Sequence, residues 1–130
     1  MVKQLYFLLL LLFPVIVYSS DELLNAVENG DTIFINNYKG DFNETLSQNG
    51  ETALLVAAYL NKIDVVKALI NLKVDIEAED SGGNNALIYA SKEGNTEILK
   101  MLLKAKANVN KYNKQGITPL ITASFYGKRV

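Results

Sequence analysis

The side chains that do most enzyme chemistry are missing from this sequence: its 130 residues include neither histidine nor cysteine. That excludes disulfides, thiolate or imidazole metal sites, and any nucleophile–base pair built on His. Carboxylates, lysines and tyrosines are left for acid–base work, and they need a cleft that excludes water. Glu77, Glu79 and Asp80 cluster, but in a Gly-rich stretch with turn composition, where polar residues are wanted anyway. The adjoining "SGGNNA" from Ser81 lacks the long glycine spacing and the Lys-Ser/Thr ending of a phosphate loop. "NET" at Asn43 to Thr45 is a glycosylation sequon, meaningful only in a eukaryotic secretory route. These residues predict no enzyme, no cofactor and no metal.

The aromatics carry more promise. Tyr59, Tyr112, Phe125 and Tyr126 are costly to leave wet and belong to the types enriched at binding hot spots. Each alone could cover a gap between helices. As a set on one face they point to a protein or peptide partner, so the elements that would set them on one face matter.

Those elements recur. Gly50, Gly83 and Gly116 are spaced by 33 residues, as are Leu54, Leu87 and Leu120, and Ala57, Ala90 and Ala123. A fixed period of this size signals a repeat architecture. Thr52, Asn85 and Thr118 stand where a helix cap belongs, and Pro119 suits a first helical position. Gly94 and Gly127 predict the end of that short helix, and Asn61 takes their place in the first copy. A second helix follows. Val65, Val66, Leu69 and Ile70 form its apolar stripe, repeated by Ile98, Leu99, Leu102 and Leu103. Each unit reads as helix, turn, helix and Gly-bearing turn, and stacking buries the faces no single unit can.

The period, together with Gly116, Thr118-Pro119-Leu120, Ala123, Gly127 and "ANVN" at Ala107, resembles the ankyrin repeat. The resemblance implies an all-α ankyrin-repeat solenoid with an incomplete last repeat. Its expected units are residues 21–46 (divergent), 47–79, 80–112 and 113–130. In the divergent unit Gly30 aligns with Gly94 and Ala26 with Ala90. Two positions depart from the family pattern. Leu55, Ile88 and Ile121 replace the usual His, so looser turns are expected. Lys73 and Lys106 replace the usual Gly after the second helix, so both are expected at positive φ, at a cost of about 1 kcal/mol each.

Proteins of this family bind through hairpin tips and the exposed end of the first helix, along a concave face. Carried over, the partner-binding positions are Gln48, Asn49, Glu51, Tyr59, Leu60 and Glu79 in the first full unit. The next unit contributes Ser81, Asn84, Lys92, Glu93 and Tyr112. The last contributes Lys114, Gln115, Ile117, Phe125 and Tyr126. The resemblance thus implies a non-catalytic protein–protein interaction scaffold.

Charge is segregated along the chain. Asp21 to Glu97 holds all 14 acidic residues against five lysines, a balance of −9, whereas Ile98 to Val130 holds no acid and balances at +7. In a solenoid that order becomes spatial order, with salt-sensitive head-to-tail self-association as one expectation. The lysines are not interleaved with enough aromatics for a nucleic-acid platform, so no nucleic-acid partner is expected.

The first 20 residues read separately. Lys3, the uncharged run Leu5–Val17 and "YSSDE" have the three parts of a secretory signal peptide, cut after Ser19 or less suitably after Ser20. The run is shorter than the ~20 residues of a spanning helix and Pro14 interrupts it, so a membrane role is expected only if it stays uncleaved. Export, to a periplasmic or extracellular destination, is the expected localisation. The rival expectation is that this solenoid leads a larger exported protein whose effector or enzymatic domain lies beyond Val130. About three and a half units is near the minimum of ~3 repeats for independent folding, so marginal stability and self-association through the exposed end are expected.

Overall fold

Caps and apolar stripes place the helices where the 33-residue period requires them. A computed structural model describes residues 18–126, so the leader expected at Leu5–Val17 and the terminator expected at Gly127 lie outside the described residues. Within them are α1 (Ser20–Asn29), α2 (Thr32–Asn37), α3 (Ala53–Tyr59), α4 (Ile63–Asn71), α5 (Ala86–Glu93), α6 (Thr96–Lys104) and α7 (Pro119–Tyr126), and no strand. They pair as α1–α2, α3–α4 and α5–α6, with α7 following. The first helices α1, α3, α5 and α7 stack in one layer, and α2, α4 and α6 stack in a second. Sequence order is therefore spatial order.

Burial follows from that stacking. Helix α3 lies between α1 and α5, and its residues Ala53 to Ala58 are all buried. Ala57 and Ala90 are fully enclosed; their small side chains let neighbouring helices approach closely. Val65, Val66 and Leu69 of α4 and Ile98, Leu99 and Leu102 of α6 form the stripe toward the first layer. Leu23, Val27 and Ile35 extend the same core into the first unit.

The caps divide. Asn85 Oδ1 accepts from Ile88 N at 2.9 Å and Thr118 Oγ1 from Ile121 N at 3.3 Å. Thr52 has the same extended backbone but makes no side-chain cap bond, and its buried hydroxyl finds no partner among the described residues. Asn85 and Thr118 both reach the third amide, so the missing bond at Thr52 is not a matter of residue type.

The helix ends follow the expected pattern. Gly30 and Gly94 share one left-handed conformation (φ 69 and ψ 28, φ 69 and ψ 29), which supports the alignment of the divergent first unit on the later ones. Asn61, Lys73 and Lys106 also have positive φ, at 56°, 61° and 68°. Behind both lysines the chain closes in the same way: Val74 N donates to Leu69 O and Ala107 N to Leu102 O. A Cβ is strained in this region while glycine is not. Lys73→Gly and Lys106→Gly are each expected to stabilise the protein by about 1 kcal/mol. Thermal melts check this; a lower melting temperature for both would contradict it.

Successive units are stitched through their turns. Ser81 N donates to Asn49 O at 2.8 Å, and Lys114 N donates to Gly82 O at 2.9 Å one period later. The approach explains Gly83, where an added Cβ would sit 3.0 Å from Lys114 N. The turns are not slack for want of His. Asp80 Oδ1 accepts from Gly82 N and Asn84 N, each at 2.9 Å, and Asn113 Oδ1 accepts from Gln115 N and Ile117 N at 2.9 and 3.0 Å.

The fold includes residues ahead of the expected cut sites. Ser19 forms a capping box with Glu22: its Oγ accepts from Glu22 N at 3.2 Å and its N donates to Glu22 Oε2 at 3.1 Å. The Tyr18 ring meets Phe34 edge-on at 5.2 Å and lies 5.4 Å from Tyr38. A cut after Ser19 would remove both contacts and set a positive ammonium at a helix N-terminus, where negative charge is favoured.

Candidate binding groove

Stacking α5 against α7 leaves a groove of about 440 Å³ between the exposed sides of these two first-layer helices. Its floor is set by helical spacing. Ile88 and Lys92 lie four apart on α5, as do Ile121 and Phe125 on α7, so each pair shares a face. Ile88 and Thr122 are buried beneath, and Thr122 Oγ1 turns back to donate to Thr118 O. Phe125 is 82% exposed and meets Tyr126 edge-on at 5.2 Å. Lys92 Nζ lies 5.5 Å from the centre of the Tyr126 ring, within cation–π range. The two turns close one end: Asn113 Nδ2 donates to Asn84 Oδ1 at 2.9 Å, with Gln115 and Ile117 beside them.

Tyr89 forms one wall and links two turns. Its hydroxyl lies 2.6 Å from Asp80 Oδ2 and 3.0 Å from Glu51 Oε1, and its ring meets Tyr59 edge-on at 6.2 Å. Burial, then the hydrogen bonds to Asp80 and Glu51, push the Tyr89 hydroxyl far above its ordinary pKa. Burial alone would raise the Asp80 carboxyl, but hydrogen bonds from Tyr89, Asn84 and Gly82 outweigh it and hold the pKa below the ordinary value. Asp80 is thus engaged as a turn acceptor. Glu77 and Glu79 turn to another side, where Lys111 Nζ lies 3.9 Å from Glu77 Oε2 and 2.8 Å from Glu79 Oε1. That pairing with Glu79 raises the Lys111 pKa, although burial opposes it. The three carboxylates adjacent in sequence therefore serve two separate structural tasks.

The groove gathers six of the positions named from the sequence: Asn84, Lys92, Gln115, Ile117, Phe125 and Tyr126. Others lie along the same turn layer without lining it. Asn49 and Ser81 meet through their backbones, Lys114 through its own to Gly82, and Glu51 reaches Tyr89. Gln48, Tyr59 and Leu60 are exposed, and Glu93 is half-buried at the end of α5. Tyr112 is set apart from the other aromatics, with Glu77, Glu79 and Lys111 around a second hollow. Sequence reasoning missed Ile88, Tyr89, Asn113, Ile121 and Thr122. The signal for Tyr89 was present, because it stands three residues before Lys92 and shares its helix face.

Comparison with known families agrees with this architecture. A family model described as ankyrin repeats, in three copies, matches residues 23–113 and again, overlapping, 83–129. The chain belongs to the ankyrin-repeat family. Ankyrin repeats generally mediate protein–protein interaction and are typically non-catalytic scaffolds. In this ankyrin-repeat chain the groove between α5 and α7 combines an apolar floor, exposed aromatics and a few convergent polar groups, the usual features of a binding pocket.

Proposed function

We propose that this protein is an exported ankyrin-repeat scaffold without catalytic activity, and that it holds a protein or peptide partner in the groove between α5 and α7. The observation that carries the reading is the exposed Phe125–Tyr126 pair standing over that groove. Large aromatics with little conformational freedom are effective anchors, and Phe125 stays 82% exposed at the rim despite its edge contact with Tyr126. The carboxylates near the groove are held by Tyr89 and by turn amides, which leaves them poorly set for proton transfer.

A photo-crosslinking residue placed at Gln115 or Ile121 is expected to capture a partner in the native host. The same residue at Ile33, 76% exposed on the first unit, is expected to capture none. Equal capture from both would remove the groove from the reading. Export rests on Lys3, the run Leu5–Val17 and the small residues after it. The intact mass of the protein from its host fraction tests it, with a chain starting at Ser20 or Asp21 expected. A cytosolic full-length chain would refute export.

A specific observation favours a second reading, in which a further helix of a longer protein packs on the last unit. Leu99, Leu103, Val109, Leu120 and Ala123 line an apolar hollow beside α7. One period earlier the matching residues Val66, Leu87 and Ala90 are covered by the next unit; Leu87 is 2% exposed where Leu120 is 75% exposed. A host protein heavier than this chain would support that reading.

A further inference from the structure

We infer that the partner segment seated between α5 and α7 is an acidic peptide carrying a bulky apolar anchor; this rests on the groove reading above. The groove presents two kinds of unsatisfied surface. One is apolar: Ile117, Ile121 and Phe125 are each exposed or half-buried. The other is cationic. Among the described residues the ion pairs engage Lys100 and Lys111, while Lys92 in the groove, and Lys114 in the adjoining turn outside it, have no carboxylate partner. Lys92 is also held in place, its ammonium over the Tyr126 ring, so a carboxylate arriving there meets a positioned charge.

Charge around the groove points the same way. Asp80 and Glu51 stay anionic while bonded to the Tyr89 hydroxyl, and Glu93 adjoins Lys92, so the attraction comes from Lys92 and the basic stretch that follows. Beyond Glu97 the sequence contains no acidic residue at all. The first two units, by contrast, are acidic, so they repel an acidic segment and confine it to the basic end. A single-stranded nucleic acid shares the negative charge but wants parallel faces on which bases stack. Phe125 and Tyr126 meet at 75°, each occupying the other's edge or face, and this favours side-chain insertion over base stacking. Gln115 adds an exposed amide that can bond a peptide backbone.

The test is selection from a phage-displayed library of random dodecapeptides on the folded protein, with labelled oligo(dT) titrated in parallel. Enriched peptides are expected to carry Asp or Glu close to Leu, Ile, Phe or Trp. Phe125→Ala is expected to weaken them about thirtyfold, and Lys92→Glu about tenfold. Replacing the peptide acid by Lys is expected to restore binding to Lys92→Glu. Circular dichroism checks that both variants remain folded, which the exposure of both side chains leads us to expect. Binders lost with Phe125→Ala but neutral or basic in composition, or indifferent to Lys92→Glu, would overturn the acidic partner while leaving the groove reading intact. Binders indifferent to Phe125→Ala, or no enrichment at all, would overturn both. Oligo(dT) binding tighter than the selected peptides would replace the peptide with a nucleic acid.

Discussion

Leu69→Ala is expected to lower stability by about 3–5 kcal/mol and the melting temperature by roughly 15 °C. Leu69 is fully enclosed on α4, the second-layer helix that packs against α2, α3 and α6. Truncation removes apolar burial and leaves a cavity that well-packed neighbours fill only in part. Position raises the cost. Each unit of a solenoid touches only its neighbours, so a weakened central unit loosens the interfaces on both sides. The comparison is Leu120→Ala, the same chemical change at a side chain 75% exposed, for which a shift within about 0.5 kcal/mol is expected. Urea unfolding followed by circular dichroism measures both. Similar losses for the two variants would mean that the stacking described for α4 does not hold the protein together.

Asp80→Ala is the second large effect, at about 2–4 kcal/mol, because it removes one acceptor from several donors at once. Gly82 N, Asn84 N, Asn84 Nδ2 and the Tyr89 hydroxyl all bond this carboxylate. Losing it leaves turn amides unpaired and frees Tyr89, which links the turn to Glu51. Asp80→Asn is expected to cost less, because Asn113 holds the equivalent turn one period later with a neutral amide. The two changes also separate charge from geometry. The folded Asp80 pKa lies below its ordinary value of 3.8. Its contribution is therefore present above that ordinary value and is lost as pH falls from there through the folded value. Melting temperatures of the parent are expected to fall across that acid window. Asp80→Asn should flatten this part of the profile, and an acid limb unchanged in Asp80→Asn would assign the loss to other carboxylates.

The repeat was legible because it rests on local rules with a fixed period. Gly83 must be glycine for its positive φ and the approach of Lys114, and Asn85 caps by reaching its third amide. Even the unusual Lys73 and Lys106 could be read, since the resemblance to the ankyrin repeat, which usually has Gly there, implies a left-handed position. What escaped depends on contacts distant in sequence. Tyr89 gains its role from Glu51 and Asp80, residues of two different turns. Tyr112 is aromatic and exposed like Phe125 yet faces the Glu77–Lys111 hollow, which composition does not show. Thr52 stands in cap register like Thr118, yet Thr118 caps its helix and Thr52 does not, a difference residue type does not show. Tyr18 follows directly on an apolar run, and its partners Phe34 and Tyr38 have no periodic relation to it.

The stacking of acidic units before basic ones makes the protein a large electric dipole despite a net charge of −1. Helix layers about 8–10 Å apart separate opposite charges over two to three units, giving a moment on the order of 100 elementary-charge ångströms. A column therefore meets one end or the other rather than the average. The protein should be retained near neutral pH by both anion-exchange and cation-exchange resins, and near any charged surface it should stand on end, presenting the α5–α7 groove toward negative surfaces and away from positive ones.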